Sequence, residues 1–138
     1  MIIGSILNAE ASDVVTIAPD ASVSDTLVLI RTKQIEAVIV TNASGMAGLL
    51  TRGDIVGFIP EHGATINSTR VRAIMKRDVI TVSREESAMH VMTQMTRYQI
   101  THIPVVDRTR LIGNVSIDDL VKERLGNLDI NAAASLEL

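Results

Sequence analysis

The sequence predicts an α+β fold built from two copies of one supersecondary unit, and three observations support this. Residues 14–56 align without a gap with residues 79–121, with nine identities in 43 pairs, where unrelated segments would share about three. Apolar residues make up 46% of the 138 residues, enough to fill a core. Each copy also alternates β-branched runs with helical stripes. We therefore expect two half-domains, related by a pseudo-two-fold axis, whose small sheets pack together.

Each copy is predicted to open with a short strand that leads into an amphipathic helix. The first four aligned residues of each copy are rich in β-branched side chains, which is typical of a strand. Apolar residues then recur at i, i+4 and i+7, the spacing of one helix face. A serine followed three residues later by an acid has the spacing of a capping box, so the helices should begin near Ser22 and Ser83. They should end at Gln34 and Gln99.

A hairpin and a second helix are predicted to complete each copy. Two short apolar runs separated by a polar turn indicate a pair of antiparallel strands. In chain order, strand, turn and strand fall at 37–40, 42–45 and 46–50 in the first copy, and at 103–106, 107–110 and 111–115 in the second. The last helices should begin at Thr51 and Ser116. The repeating unit is therefore β-α-β-β-α.

These elements divide the chain into four segments. The first half-domain covers residues 6–59 and the second covers 78–125, and a linker at 60–77 contains a polar loop and a short helical turn. The tail at 126–138 is weakly patterned and partly resembles a cloning remnant, so it is left out of the predicted fold.

Composition disfavours several classes of function. A net charge of −3, with one Tyr, one Phe and no Trp, provides neither the basic field nor the stacking surfaces of a nucleic-acid-binding protein. Without cysteine there is no disulfide, thiolate metal site or cysteine nucleophile, and the three histidines lack metal-ligand spacing. No signal peptide and no apolar run of membrane-spanning length is seen. We expect a cytoplasmic protein with neither nucleic-acid nor membrane partners.

Both copies carry a hydroxyl residue and an aspartate, three residues apart, where the last strand passes into the last helix. The pairs are Thr51 with Asp54 and Ser116 with Asp119, each beginning three residues after a glycine. One interpretation is a capping box that only starts the helix. The other is a ligand site, in which helix amides attract a phosphate and the aspartate accepts hydrogen bonds from a ribose diol. These residues alone leave both interpretations open.

The context of these pairs resembles the CBS domain family, the cystathionine β-synthase-type tandem repeats. The resemblance is carried by Ile74–Met75 and Asp78–Val82, by Ile100–Asp107, and by Leu111–Val121, and it extends over most of residues 6–125. It implies a pair of half-domains, called a Bateman module, with two clefts that bind AMP, ADP, ATP, NAD(H) or S-adenosylmethionine in relatives. Such modules commonly form disc-shaped homodimers.

The resemblance also implies which residues line the clefts. Asp54 and Asp119 would hold ribose hydroxyls, and Thr51 and Ser116 would contact phosphate or ribose. Arg52 is placed to bind a phosphate, although Arg and Lys side chains near such loops are more often part of the solvated surface. The adenine would lie against the segments that contain Thr16, Ile17, Ala37 and Val38 in the first copy and Thr81, Val82, His102, Ile103 and Pro104 in the second.

The leading functional hypothesis is a regulatory module that binds an adenine nucleotide or other adenosyl compound and modulates a protein partner. It requires no cofactor, and no nucleophile elbow, phosphate loop or metal cluster indicates an enzyme. The alternative is a structural dimerisation protein with non-binding clefts, because the first copy has Glu36–Ile39 where the second has Thr101–Pro104. Methionines at helical spacing, at 89, 92 and 95, would serve core packing or a dimer surface.

Overall fold

Helices and short strands alternate along the chain in the computed structural model, which describes residues 1–7 and 14–123. In chain order the elements are α1 (Ile3–Leu7), β1 (Thr16–Ile17), α2 (Val23–Lys33), β2 (Ala37–Asn42), β3 (Gly45–Thr51), α3 (Arg52–His62), a 3-10 helix (Gly63–Ser68), α4 (Val71–Ile74), α5 (Ala88–Tyr98), β4 (His102–Asp107) and β5 (Arg110–Ser116). A last helix, α6, is described over residues 117–123. The predicted α+β class is confirmed. The predictions for residues 124–138 lie outside the described residues.

The elements group into two units. The first unit takes its residues from the segments Asp13–Ile80 and Thr109–Leu111, and the second unit from Met1–Ser12, Thr81–Arg108 and Ile112–Leu138, as far as these are described. The first copy of the repeat therefore lies in the first unit. Nearly all of the second copy lies in the second unit.

The sheet of the first unit has the order β1-β2-β3. β1 runs parallel to β2 and β3 runs antiparallel to it, with Ala37 opposite Thr51 and Ile39 opposite Leu49. Because side chains alternate across a strand, Val38 points to the opposite face from these residues, and it packs in the core on the helix side. The hairpin turn uses Gly45 at a φ of 116°, a conformation that favours glycine.

The opening strand of the second copy is shorter than predicted. In the first unit the Ile39 N–H donates to the Val15 carbonyl at 3.1 Å. Pro104 stands at the aligned position in the second copy and has no N–H, so the equivalent hydrogen bond cannot form. Within the described residues, the predicted strand at 79–82 is reduced to a single parallel bridge between Val82 and Val105.

The first helix of the second copy begins four residues later than predicted. Its N-cap is Ser87, whose hydroxyl accepts from the His90 N–H at 3.0 Å. Ser83 instead lies in a turn, where its carbonyl accepts from the Glu86 N–H at 3.3 Å. In the first copy the predicted cap is correct, since the Ser22 hydroxyl accepts from the Asp25 N–H at 2.9 Å. The aligned serines at 22 and 87, rather than the Ser-x-x-acid spacing, identify both caps.

The ends of these helices match the prediction. Gln34 and Gln99 are the C-caps of α2 and α5, and both adopt the left-handed conformation, with φ of 54° and 53°. A left-handed residue ends a helix because it turns the chain away from the helical path. The next helix, α3, runs past the predicted end at residue 59 and includes Pro60 before it ends at His62.

Segments outside the repeat complete each unit. In the first unit, Arg70 forms an antiparallel bridge with Ser22, and α4 follows it. In the second unit, Ile2 forms the equivalent bridge with Ser87, and α1 follows. Residues 1–7 precede the first copy in sequence but pack in the second unit. The order of the chain therefore does not indicate which half the N-terminal segment completes.

Each unit has its own apolar core on the helix side of its strands. The first is formed by Val23, Ile30, Val38, Val40, Leu50, Ile55, Val71 and Met75, and the second by Ile3, Val82, Val91, Met95, Ile103, Val105, Val115 and Leu120. The three methionines of α5 differ in how deeply they are buried. Met95 is buried in the core, Met92 packs against it, and Met89 is 65% exposed.

Candidate functional site

A reciprocal capping box forms at the strand-to-helix junction of both copies. In the first unit, the Asp54 N–H donates to Thr51 Oγ1 at 3.0 Å and the Thr51 N–H donates to Asp54 Oδ2 at 3.1 Å. In the second unit, Ser116 and Asp119 form the same two hydrogen bonds, each at 3.0 Å. The boxes start α3 and α6, and they hold each carboxylate through Oδ2 only. We call these two places the first box and the second box.

The remaining oxygen, Oδ1, has different surroundings in the two boxes. Asp54 Oδ1 lies 3.4 Å from Lys76 Nζ, and the Asp54 side chain is only 17% exposed. Asp119 is exposed, and among the described residues no cation pairs with it. The first box therefore has a paired carboxylate and the second an open one.

Lys76 reaches the first box because its backbone lies beside β3. Lys76 and Leu49 exchange two backbone hydrogen bonds, both at 2.9 Å. A Cβ at Gly48 would lie 2.6 Å from the Lys76 carbonyl oxygen, so this approach requires glycine. In the second unit, a Cβ at Gly113 would lie 2.6 Å from Leu7 Cδ2. The glycine of the repeated motif thus makes room for a neighbouring segment in both units.

Arg52, the predicted phosphate ligand, forms an ion pair at the start of α3. Its Nη2 lies 3.2 Å from Glu36 Oε1, and the two side chains are 58% and 46% exposed. The Arg52 N–H also donates to the Glu36 carbonyl at 2.8 Å. In the second unit, Ile117 donates to the Thr101 carbonyl at the same distance. The backbone contact is therefore repeated, and the charged pair is not.

The remaining predicted residues of the first copy lie on two faces of its sheet. Ala37 is opposite Thr51, and Thr16, which is exposed, pairs with Ile39 two residues farther along β2. These residues therefore lie near the first box. The side chains of Ile17 and Val38 pack in or against the helix-side core, which leaves only their backbone groups for a ligand.

The second copy has the same division. Thr81 is exposed, whereas Val82 and Ile103 are core residues. Pro104 is buried, and its carbonyl accepts from the Val82 N–H at 3.1 Å. His102 is 7% exposed, and its Nδ1 lies 2.9 Å from Thr101 Oγ1. A structural hydrogen bond is thus present at His102.

Sequence reasoning missed Lys76. It lies 22 residues after Asp54, and only the backbone pairing with Leu49 brings the two side chains together. A weak signal existed, because four cations fall within eight residues, at Arg70, Arg72, Lys76 and Arg77.

The part of the chain that the structure describes lacks two other kinds of site. It contains no helix that is both long and apolar enough to cross a membrane. It also contains no group of three or more His, Cys, Asp or Glu side chains that could hold a metal ion.

Comparisons with known proteins identify relatives over most of the chain. An inosine-5'-monophosphate dehydrogenase from Korarchaeum cryptofilum is 31% identical over 133 residues, which are 89% of this chain but 27% of that protein. The chain therefore spans about a quarter of that relative's length.

Solved structures share the fold. The CBS-domain containing protein ATU1752 from Agrobacterium tumefaciens matches with a TM-score of 0.85 and 30% identity, covering 90% of this chain and 99% of that one. The CBS domain pair of protein MJ0100, solved in complex with 5'-methylthioadenosine and S-adenosyl-L-methionine, matches with a TM-score of 0.77 and 25% identity. That match covers 88% of this chain and 98% of the MJ0100 chain.

The family itself is identified from the sequence. The model of the CBS domain matches twice, at residues 4–61 and 71–126, and each match contains one of the two boxes. Because these matches cover more than half of the chain and solved CBS-domain structures share its fold, this protein belongs to the CBS domain family, as a tandem pair of CBS domains.

Proposed function

We propose that this protein is a regulatory module that binds adenosine-containing ligands at its two boxes and thereby modulates a protein partner. The observation that carries the proposal is the repeated capping box, which holds an aspartate by one oxygen in both units. A structural relative of 25% identity is a CBS domain pair in complex with two adenosyl compounds. No cofactor is required for such binding.

The chemistry of the box suits a ribose. The two hydroxyls of a ribose diol are hydrogen-bond donors, and an ionised carboxylate accepts such bonds strongly. Because the box already fixes the carboxylate, little side-chain freedom is lost when a ligand binds. Thr16 and Thr81 are exposed hydroxyl residues at aligned positions of the two copies, and the adenine would bind beside them.

Regulation requires that the ligand distinguish between two states of the module. A ligand shifts such an equilibrium only by the difference in its binding free energy to the two states. Each 1.4 kcal/mol of that difference changes the equilibrium constant about tenfold. We propose regulation and not catalysis for these residues, since the two CBS-domain matches account for residues 4–61 and 71–126.

We also propose that the module forms a homodimer through the last helix of each copy. Val56 in α3 and Val121 in α6 are aligned in the repeat and are 59% and 40% exposed. Ile59 and Ile117 add further exposed apolar surface to the same helices. Apolar surface of this kind is typical of an interface. The cytoplasmic location stays a prediction from the sequence.

A second candidate function, structural dimerisation without a ligand, is favoured by the first unit alone. Both cations near the first box are paired, Arg52 with Glu36 and Lys76 with Asp54. A box whose charges are all satisfied needs no ligand. The open carboxylate of Asp119 favours the adenosyl-binding function instead.

A thermal-shift panel distinguishes the two functions. AMP, ADP, ATP, NADH and S-adenosylmethionine are added separately, and the melting temperature is followed against ligand concentration. A ligand that binds the folded state stabilises it by about 2.7 kcal/mol at 100 times its dissociation constant. We expect at least one adenosyl compound to raise the melting temperature in this manner. No shift with any of them at millimolar concentration would contradict adenosyl binding.

The ribose assignment has its own test, the Asp119→Ala variant. We expect this change to weaken binding of 5'-methylthioadenosine and to leave the weaker binding of free adenine nearly unchanged, because adenine carries no diol. Isothermal titration calorimetry gives both affinities. Equal weakening of the two ligands would show that Asp119 does not hold the ribose.

A further inference from the structure

We propose that the two boxes select different classes of adenosine ligand. The first box takes adenosine that carries a 5'-phosphate, and the second takes uncharged or cationic adenosine derivatives, such as a thioether or a sulfonium. This inference rests on the proposed function, because it concerns which adenosyl compound each box accepts. It is carried by the charges that surround the two aligned aspartates.

The two boxes differ by two formal charges. Around the first box, Glu36 and Asp54 are balanced by Arg52 and Lys76. In the second copy, Thr101 and Ile117 replace the first ion pair, and Asp118 replaces Gly53 directly beside Asp119. Among the described residues no cation is paired with either carboxylate of the second box. The first box is therefore neutral, and the second carries two negative charges.

Binding of a ribose at Asp54 requires a change in its ion pair with Lys76. The two atoms are 3.4 Å apart, and the Asp54 side chain is 17% exposed while the Lys76 side chain is 53% exposed. A ligand that replaces the ammonium at Oδ1 leaves Lys76 without its anion. A 5'-phosphate supplies a new anion for this flexible side chain, whereas an uncharged nucleoside does not.

Arg52 adds a second cation for the same phosphate. Its guanidinium is held by a single contact with Glu36, on a side chain that is more than half exposed, so it can exchange its partner at little cost. The N-terminal amides of α3 favour an anion in the same place. The 5'-phosphate of a ligand at the first box can therefore form ion pairs with two cations, Lys76 and Arg52.

The second box offers the opposite environment. A phosphate placed near Asp118 and Asp119 would meet two exposed carboxylates, which repel it. Asp119 Oδ1 needs no exchange of partners before it accepts hydrogen bonds from a ribose. An uncharged thioether avoids the repulsion, and a sulfonium is attracted by the carboxylates.

The experiment compares AMP with 5'-methylthioadenosine by isothermal titration calorimetry in variants that weaken one box. Asp119→Asn weakens the second box and leaves the first to be measured, and Asp54→Asn does the reverse. The amide oxygen of asparagine can still accept the N-cap hydrogen bond. We expect AMP to bind at least tenfold more tightly than 5'-methylthioadenosine in Asp119→Asn, and no more tightly in Asp54→Asn.

Lys76→Met in the Asp119→Asn background then tests the proposed cause. Methionine keeps an apolar stem of similar length and removes the charge, so we expect the preference for AMP to fall severalfold. Lys33→Met is the matched control, because Lys33 is exposed at the end of α2 and, within the described part of the chain, has no ion pair. It should leave the preference unchanged.

Salt provides a second measurement that needs no substitution at Lys76. Raising the ionic strength shortens the Debye length from about 10 Å at 0.1 M to about 3 Å at 1 M, which weakens attraction between exposed charges. AMP binding to the first box should weaken as salt rises, and 5'-methylthioadenosine binding to the second should not.

The outcomes separate this inference from the proposed function. Binding of adenosyl compounds with the same AMP preference at both boxes, or an unchanged preference in Lys76→Met, would overturn the inference and leave the proposed function intact. Failure of the wild-type protein to bind either compound would overturn this inference, and failure to bind any compound of the thermal-shift panel would overturn the proposed function as well.

Discussion

Gly48 and Gly113 occupy the same position of the repeat, yet different atoms lie next to them. A Cβ at Gly48 would meet the Lys76 backbone oxygen at 2.6 Å, and a Cβ at Gly113 would meet the end of the Leu7 side chain at 2.6 Å. A backbone oxygen within a paired bridge cannot move without breaking hydrogen bonds, whereas a leucine side chain can change rotamer. The two glycines should therefore differ in their tolerance of alanine.

We expect Gly48→Ala to lower the free energy of unfolding by about 2–3 kcal/mol and Gly113→Ala by about 1 kcal/mol. Urea unfolding followed by circular dichroism measures both. Equal losses in the two variants would contradict the explanation by backbone contact.

At the level of single residues, the sequence was most informative where contacts are local. The Thr51–Asp54 and Ser116–Asp119 boxes were predicted because both partners lie within one helical turn. The Lys76–Asp54 pair was not predicted because it depends on a backbone bridge between distant segments.

At the scale of the elements, the N-cap of α5 gives a direct test. The Ser87 hydroxyl satisfies a helix N–H, while Ser83 lies in the preceding turn. We expect Ser87→Ala to reduce the free energy of unfolding by about 1 kcal/mol, as for other lost caps. Ser83→Ala is the control and should change it by less than about 0.5 kcal/mol. A larger loss from Ser83→Ala than from Ser87→Ala, measured by urea unfolding, would place the helix start where the sequence spacing suggested.

The errors at this scale share one cause. Ser83 and Glu86 have the Ser-x-x-acid spacing of a capping box, but the serine that aligns with Ser22 and caps α5 is Ser87. The strand at 79–82 has suitable residues, but Pro104 on the neighbouring strand removes one hydrogen-bond donor. Both predictions came from a local sequence pattern. Such a pattern shows neither which residue is aligned in the other copy nor which hydrogen-bond donors the neighbouring strand has.

At the scale of the whole molecule, the repeat predicted two similar units and the α+β class. It did not predict that residues 1–7 complete the second unit, because the contacts of Ile2 and Ile3 with Ser87 and Glu86 join residues more than eighty positions apart. The order of segments along the chain does not show which unit a segment packs in when that segment lies outside the repeat.

Assembly is the prediction that belongs to this scale. If the last helices form a homodimer interface, Val56→Glu and Val121→Glu should each shift the protein toward the monomer, because a buried unpaired charge is unfavourable. Size-exclusion chromatography with light scattering measures the mass. Val28→Glu is the matched control, since Val28 is 62% exposed on a different helix, α2. A mass that stays dimeric in both helix variants, or a monomeric wild type, would contradict the proposed interface.

The central claim is that the two aligned aspartates hold the ribose of an adenosine ligand. Its most direct test is a calorimetric titration of the wild-type protein and of the double variant Asp54→Asn/Asp119→Asn with AMP. Since hydrogen bonds to a charged group contribute about 1.5–3 kcal/mol each, we predict saturable binding to the wild type and a loss of at least about tenfold in the double variant. Binding of AMP with equal affinity to both proteins would contradict the claim.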